Sequence, residues 1–310
     1  MLNFSSGIYT QVKPLRHPVI WLLTGLTVVA TTVACSSSAT STPLPQLPEV
    51  SVIVVTTDYG VGSNRVVFGL VDRDGTPVRS DDSQVQASYL PPGESAGEVR
   101  DTATAKFRQW PVGAQGVFTT NLNFNTAGIW QIEVDTTNSA GNAVTALGAI
   151  QVQAETTTPS IDQPAPASVT LTGDQVDDLA AITSSPRPDP DLYRLSVHEA
   201  LGAGKPSVVV FATPAFCVTA TCGPQVEIIS QLKERFSDRA NFVHVEVYKN
   251  PHLIEGGRPA GGFVKAVSEW KLPTEPWTFI MDQDGLVRAK FEAFTTLEEL
   301  EQGLQSVLGS

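Results

Sequence analysis

The amino-acid sequence predicts two folded domains, an all-β domain followed by an α/β domain. At 310 residues the chain is too long for one small domain and suits two. Between residues 50 and 153, about seven short strand-like segments alternate with turn signals. Between residues 190 and 310, strand-like and helix-like segments follow one another, which is typical of an α/β domain.

The composition is that of a globular, acidic protein. Hydrophobic residues make up 41% of the chain, charged residues make up 17%, and the formal net charge is -12. An acidic body argues against nucleic acid or an anionic membrane surface as the main partner. We predict no cofactor and no metal, because no motif in the chain calls for one.

The amino terminus has the pattern of a secretory signal. A basic patch precedes an uncharged, mostly apolar run, Val19–Ala34, which is shorter than the roughly 20 residues that span a bilayer comfortably. The run ends in T-V-A-C, with Cys35 directly after a small residue. This ending resembles the lipobox of bacterial lipoproteins, although leucine is usual where Thr32 stands.

The resemblance implies that Cys35 is lipidated and that residues 1–35 are a signal and lipobox segment. Residues 36–49 then form a flexible tether rich in Ser, Thr and Pro. The alternative is an uncleaved N-terminal membrane anchor with an incidental cysteine. Both interpretations place the body on the extracytoplasmic face of the cell membrane, where disulfides persist.

Residues 50–153 predict an immunoglobulin-like β-sandwich. Alternation of apolar and polar residues, as in Ile129–Val134, indicates strands with one buried face. Trp130 is interpreted as a core residue. The domain is either a spacer or a partner-binding module. The predicted strands are Ser51–Thr56, Arg65–Asp72, Ser83–Tyr89, Thr104–Gln109, Gly116–Asn123, Gly128–Asp135 and Ala143–Gln153.

Residues 154–189 are predicted to form a linker, because they are rich in Thr and Pro. Leu192–Leu195 is a candidate short edge strand. Ser196–Leu201 predicts a short helix with Ser196 as its cap and Glu199 as the capping-box partner.

Residues 190–310 predict the order βαβ, then a helix, a β-hairpin and a last helix. Thr295 is the predicted cap of the last helix, and Glu298 is its capping-box partner. The predicted elements before that helix are Ser207–Ala212, Gly223–Phe236, Asn241–Tyr248, Gly262–Trp270, Trp277–Asp282 and Leu286–Glu292.

This region resembles the thioredoxin superfamily, in its TlpA/ResA-like branch. The likeness rests on the strand, cysteine loop and helix of residues 208–236, on Pro276–Asp282 followed by Asp284-Gly285, and on the last helix. The resemblance covers residues 190–310 only. It implies that Pro276 is a cis-proline facing the cysteines and shaping a substrate groove.

The cysteine motif departs from that family. The family has W-C-x-x-C, whereas this chain has F-C-V-T-A-T-C-G-P-Q, which spaces Cys217 and Cys222 as C-x4-C. In one register Cys217 matches the first family cysteine. In the other, Cys222 does so and Gln225 replaces the second cysteine. Spacing from the strand favours the first register, whereas helix-start chemistry slightly favours Cys222 as the more acidic thiol.

The resemblance implies a thiol–disulfide oxidoreductase that acts on a protein thiol or disulfide partner through Cys217 and Cys222. One alternative is a non-catalytic binding module with a structural disulfide. Another is copper handling as in Sco-like relatives, with His244 or His252 beside the cysteines. The buried acid of the family is missing from the central strand, and Glu227 and Glu275 are interpreted as solvated charges.

Overall fold

A computed structural model describes residues 48–111, 115–257 and 261–308 of the chain. The predicted signal segment, Cys35 and nearly all of the tether lie outside the described residues. Residues 47–310 form one compact unit. In the described part of the chain, no helix combines the length and apolar character needed to cross a membrane.

The first part of this unit is built from eight antiparallel or parallel strands in a single sheet. All seven predicted strands are present, and a two-residue strand, β2, is added. The strands are β1 (Val50–Val54), β2 (Tyr59–Gly60), β3 (Gly62–Asp72), β4 (Asp82–Leu90), β5 (Glu98–Gln109), β6 (Gly116–Phe124), β7 (Gly128–Thr137) and β8 (Ala143–Gln153). Their order in the sheet is β1-β3-β6-β5-β4-β7-β8-β2.

The two halves of the predicted sandwich are joined into one continuous sheet by β5. This strand is 12 residues long, and its residues 98–106 pair with β4 while residues 106–109 pair with β6. Because one strand is shared, hydrogen bonding continues from one half of the sheet into the other. The sheet folds over on itself, and Gly148 of β8 leaves room for the side chain of Val52 on β1.

Trp130 lies at the centre of the core enclosed by this sheet, as predicted. Its side chain is fully buried, and its ring packs against Phe124 and Tyr89 with centroid distances of 5.0 and 5.8 Å. The indole N–H donates to the carbonyl of Thr126 at 2.9 Å, so the buried donor is satisfied.

The second part contains a four-stranded sheet with helices, in the predicted order. Its sheet order is β10-β9-β11-β12, with β10 parallel to β9, β11 antiparallel to β9, and β12 antiparallel to β11. The elements are α1 (Val197–Gly202), β9 (Ser207–Ala212), α2 (Cys222–Phe236), β10 (Asn241–Glu246), α3 (Lys265–Glu269), β11 (Trp277–Met281), β12 (Val287–Glu292) and α4 (Leu297–Gln305).

The prediction of a short edge strand at Leu192–Leu195 is wrong. Residues Pro190–Tyr193 form a 3-10 helix instead, with the Asp189 side chain accepting from the N–H of Asp191 at its start. Proline at the first helical position suits a helix start rather than a strand. Leu192 is fully buried in the core of the α/β part, which fixes the turn in place.

The capping predictions are confirmed for α1 and shifted by one residue for α4. Ser196 and Glu199 form the predicted capping box. At α4 the box uses Thr296 and Glu299, because Thr295 is fully buried and its N–H donates to Gln225 Oε1 at 2.8 Å.

The segment predicted to link the two parts runs along the turn of the β11–β12 hairpin. The N–H of Asp162 donates to the carbonyl of Val287 at 2.8 Å, and the N–H of Ala165 donates to the carbonyl of Gly285 at 2.9 Å. Further on, the carbonyl of Ser168 accepts from the N–H of His198 at 2.9 Å. These bonds tie the segment to the α/β part.

The all-β and α/β parts meet through hydrogen bonds at the ends of β12 and α4. Arg65 of β3 donates to Glu299 Oε1 and to the carbonyls of Glu292 and Phe294, each at 2.9 Å. The Glu292 carboxylate accepts from the N–H of Thr57 at 2.7 Å and from Thr274 Oγ1 at 2.6 Å. The all-β part is therefore bonded to the loop that carries Pro276.

Candidate active site around the Cys217–Cys222 pair

The two cysteines lie in the loop that follows the central strand β9. All six residues of β9 are buried, because β10 and β11 flank the strand and helices cover the sheet. The loop, residues 213–221, leaves the carboxyl end of this strand and leads directly into α2. Functional groups in α/β sheets gather at this end of the strands.

Cys217 and Cys222 form a disulfide, with their Cα atoms 5.9 Å apart. Their environments differ. Cys222 is the first residue of α2 and is fully buried in the core of the α/β part, whereas Cys217 is partly exposed and precedes the fully exposed Val218. Only Cys217 is therefore open to another protein in the disulfide form.

A left-handed residue and the hydroxyl of Thr219 shape the loop between the cysteines. Ala220 has a φ of 56°, in the left-handed region, and so reverses the chain just before the helix. The hydroxyl of Thr219 lies 3.2 Å from Cys217 Sγ and 2.8 Å from Thr221 Oγ1. The Thr219 hydroxyl thus connects the exposed sulfur to the residue preceding α2.

Gln225 occupies the position that the second register assigns to the missing cysteine. It is fully buried, and its Oε1 accepts from the N–H of Thr295 at 2.8 Å. Its Nε2 is also buried and has no hydrogen-bond partner within the part of the chain that the structure describes. The residue that replaces a cysteine here is thus a buried amide with one unused donor.

Pro276 follows a cis peptide bond, Glu275–Pro276, as the resemblance implied. Trp277, the next residue, pairs with Phe211 near the end of β9. Pro276 therefore lies at the same sheet edge at which the cysteine loop begins. Its side chain is buried.

The interpretation of Glu275 as a solvated charge is wrong. The residue is partly buried, its carboxyl accepts from the backbone N–H of Thr213, and its Oε2 has no partner among the described residues. Burial and the nearby charge of Glu246 raise its pKa to about 7. Glu227, in contrast, is exposed and pairs at 3.3 Å with Arg187.

Sequence reasoning missed Glu246 and Ser184, which join the same cluster. Glu246 is buried, and its Oε2 accepts from the N–H and the hydroxyl of Ser184 at 2.8 and 2.7 Å. The Ser184 hydroxyl also accepts from the N–H of Ala215 in the cysteine loop at 3.1 Å. The available signal was an acidic residue at the end of a predicted strand, directly after Val245.

His244 is buried in the interior and is not exposed on its strand. Its Nδ1 lies 2.6 Å from the hydroxyl of Tyr193, and its Nε2 lies 3.0 Å from the carbonyl of Ala212. Burial holds the pKa of His244 below its usual value. Both ring nitrogens are thus engaged, whereas His252 is exposed in a short 3-10 helix, Pro251–Leu253. Within residues 48–111, 115–257 and 261–308 there is no group of three His, Cys, Asp or Glu side chains that could hold a metal ion.

No family model matches the chain, and no curated protein matches it. Among solved structures, the chain is similar to a thiol:disulfide interchange protein of the thioredoxin family from Chlorobium tepidum, at 14% identity over 48% of this chain and 97% of that one, with a TM-score of 0.32. It is similar to a thioredoxin-like protein in the oxidised form, at 16% identity over 34% of this chain and 78% of that one, with a TM-score of 0.28. It is also similar to a CARDB domain from Pyrococcus furiosus, at 16% identity over 34% of this chain and 88% of that one, with a TM-score of 0.20.

At TM-scores below 0.5 these likenesses establish no shared fold. The strand order of the second sheet, the cis peptide bond before Pro276 and the cysteine pair after the central strand are features of this chain itself. A disulfide with one partly exposed sulfur can exchange with an external thiol.

Proposed function

We propose that the protein is a membrane-tethered, extracytoplasmic thiol–disulfide oxidoreductase that acts through Cys217 and Cys222. The observation that carries the proposal is the disulfide in the loop after the central strand, with cis Pro276 directly before the neighbouring strand β11. Its partner is a protein thiol or disulfide. Nucleic acid is not its partner, because the protein has a net charge of -12.

Cys217 is the sulfur that exchanges with the partner, and Cys222 is the resolving sulfur. A partner thiolate attacks Cys217 Sγ and forms a mixed disulfide, while the electron pair of the broken bond leaves on Cys222 Sγ. A second partner thiolate then attacks the partner's own sulfur and releases the Cys217 thiolate, so the partner is oxidised and the pair is reduced. The reverse sequence reduces a partner disulfide. The burial of Cys222 supports this assignment over the helix-start argument for Cys222 as attacker.

Pro276 and Glu275 complete the proposed site. Pro276 borders the groove in which the partner's main chain lies. Glu275, whose pKa is raised to about 7, exchanges a proton near neutral pH at the start of the cysteine loop. Lipidation of Cys35 holds the body at the outer face of the membrane through the tether.

Trapping of mixed disulfides in cells tests the proposal. Cys222→Ser keeps the accessible sulfur and removes the resolving one, so it accumulates mixed disulfides with partner proteins. Cys217→Ser is the matched control and traps none. If neither variant traps a partner and the purified protein does not reduce insulin, the enzyme proposal fails. If only Cys217→Ser traps, the two roles are reversed.

A structural disulfide in a binding module is the second candidate, and the burial of Cys222 in the core favours it. The reduction potential separates the two, because structural disulfides of secreted proteins lie below roughly -300 mV and resist glutathione. A potential in that range, together with no trapped partner, supports the binding module. No observation favours copper handling, because both ring nitrogens of His244 are within hydrogen-bond distance of partners in the protein.

A further inference from the structure

Gln225, whose side-chain N–H donor has no acceptor among the described residues, lies on the same face of α2 as the cysteine that must leave as an anion. Gln225 and Cys222 are three positions apart on α2, and both are fully buried. Residues spaced by three lie on the same face of a helix. Long helical side chains lean toward the preceding turn, which here is the turn that begins at Cys222.

The orientation of the Gln225 amide is determined by its neighbour. The N–H of Thr295 is a donor and lies 2.8 Å from Oε1, so this atom must be the amide oxygen. The NH2 group then points away from Thr295 and has no acceptor among the described residues. A buried donor without an acceptor is costly, since it has lost its water and gained no partner.

Opening the disulfide creates an acceptor in this region. When a partner thiolate forms a mixed disulfide with Cys217, Cys222 Sγ carries a full negative charge inside the core. A buried anion is strongly disfavoured unless hydrogen bonds stabilise it. The unpaired N–H groups at the start of α2 supply part of that stabilisation. Freed from Cys217, the sulfur can also rotate about its Cα–Cβ bond toward the amide.

We infer that Gln225 is a positioning residue whose Nε2 donates a hydrogen bond to the Cys222 thiolate once the disulfide opens. The inference rests on the proposed function and deepens it. The disulfide form leaves the donor unpaired and the reduced form satisfies it, so Gln225 favours reduction of the pair. Gln225 therefore makes this disulfide a better oxidant of partner dithiols.

The test is the equilibrium constant for reduction of the purified full-length protein by glutathione, with Cys35→Ser so that only one pair exchanges. Gln225→Met removes the donor while keeping a similar volume. A hydrogen bond to a charged group is worth enough to shift this constant by about tenfold or more toward the disulfide. For a two-electron couple, tenfold is about 30 mV.

Two further variants keep the test decisive. Ile229→Ala removes a buried side chain one turn further along α2 and should destabilise both redox forms equally, leaving the constant unchanged. If Gln225→Met does not fold, Gln225→Glu keeps an acceptor for the N–H of Thr295 and replaces the donor, and it should shift the constant in the same direction. A shift below about twofold, or an equal shift in Ile229→Ala, overturns the inference.

Failure of this inference is distinguishable from failure of the proposed function. Exchange with glutathione needs no partner protein, whereas trapping in cells does. A normal potential in Gln225→Met with partners still trapped by Cys222→Ser would refute the role of Gln225 alone. A shifted potential with no trapped partner and no insulin reduction would leave the role of Gln225 intact and refute the enzyme.

Discussion

Replacing Glu275 by Gln should stabilise the folded protein at alkaline pH and leave it nearly unchanged at acidic pH. Burial and the charge of Glu246 raise the pKa of Glu275 from 4.5 to about 7. The folded state thus binds this proton more tightly than the unfolded state does. The resulting stabilisation is complete below pH 4.5 and is lost as the pH rises through about 7.

The magnitude follows from the size of the shift. A change from 4.5 to about 7 corresponds to about 3 kcal/mol at 1.36 kcal/mol per unit. Because the Glu275 side chain is partly exposed, solvent screening reduces the effect to about 1–2 kcal/mol. Glutamine carries no charge and keeps an oxygen that can accept from the N–H of Thr213.

Urea denaturation of the oxidised protein at about pH 4 and about pH 8 measures the effect. The free energy of unfolding of Glu275→Gln should exceed that of the wild type by about 1–2 kcal/mol at the higher pH only. Glu227→Gln is the matched control, because its exposed carboxylate pairs with exposed Arg187. A difference that is absent at pH 8, or equally large at pH 4, would refute the reasoning.

Two more predictions concern buried polar groups. Arg65→Ala leaves partly buried Glu299, whose side chain is 14% exposed, without its cation and should lower the free energy of unfolding by about 3 kcal/mol. Loss of the exposed partner in Arg187→Ala should cost about 0–1 kcal/mol, and urea denaturation of both variants compares them. Equal costs would show that Arg65 adds nothing at the junction of the two parts. Below pH 6.5 His244 should lower the free energy of unfolding as the pH falls, opposite in sign to the contribution of Glu275, because burial holds the pKa of His244 below that value and the unfolded state takes up the proton first. His244→Asn should remove this contribution, so that its stability falls less, or rises more, than that of the wild type between pH 6.5 and 4.5; an unchanged slope would refute the role of His244.

The elements that the sequence predicted well are those encoded by local signals. Alternating apolar residues and turn residues predicted all seven longer strands of the all-β part, and the position of Trp130 on such a strand predicted its burial. The predictions failed where a distant contact decided the outcome. Thr295 does not cap α4, because its N–H is bound by Gln225, which is 70 positions earlier in the chain.

The single continuous sheet of the all-β part was not predictable in the same way. Local patterning shows where a strand runs and which face is buried, but it does not show with which partners each half of the strand pairs. The length of β5 allowed it to pair with β4 and with β6, and only the folded sheet reveals that it does both.

In the candidate site, too, the sequence predicted the contiguous motifs, and the tertiary structure decided the rest. By itself the sequence determined the cysteine pair at a strand–helix junction and the proline-led hairpin, because these are contiguous motifs. Only the tertiary structure buried Cys222 while leaving Cys217 accessible, and brought Ser184 to Glu246 across 62 positions. Burial and long-range hydrogen bonds decide which groups are accessible, which are charged and which lack a hydrogen-bond partner. These properties depend on what surrounds a residue in space and not on its neighbours in the chain.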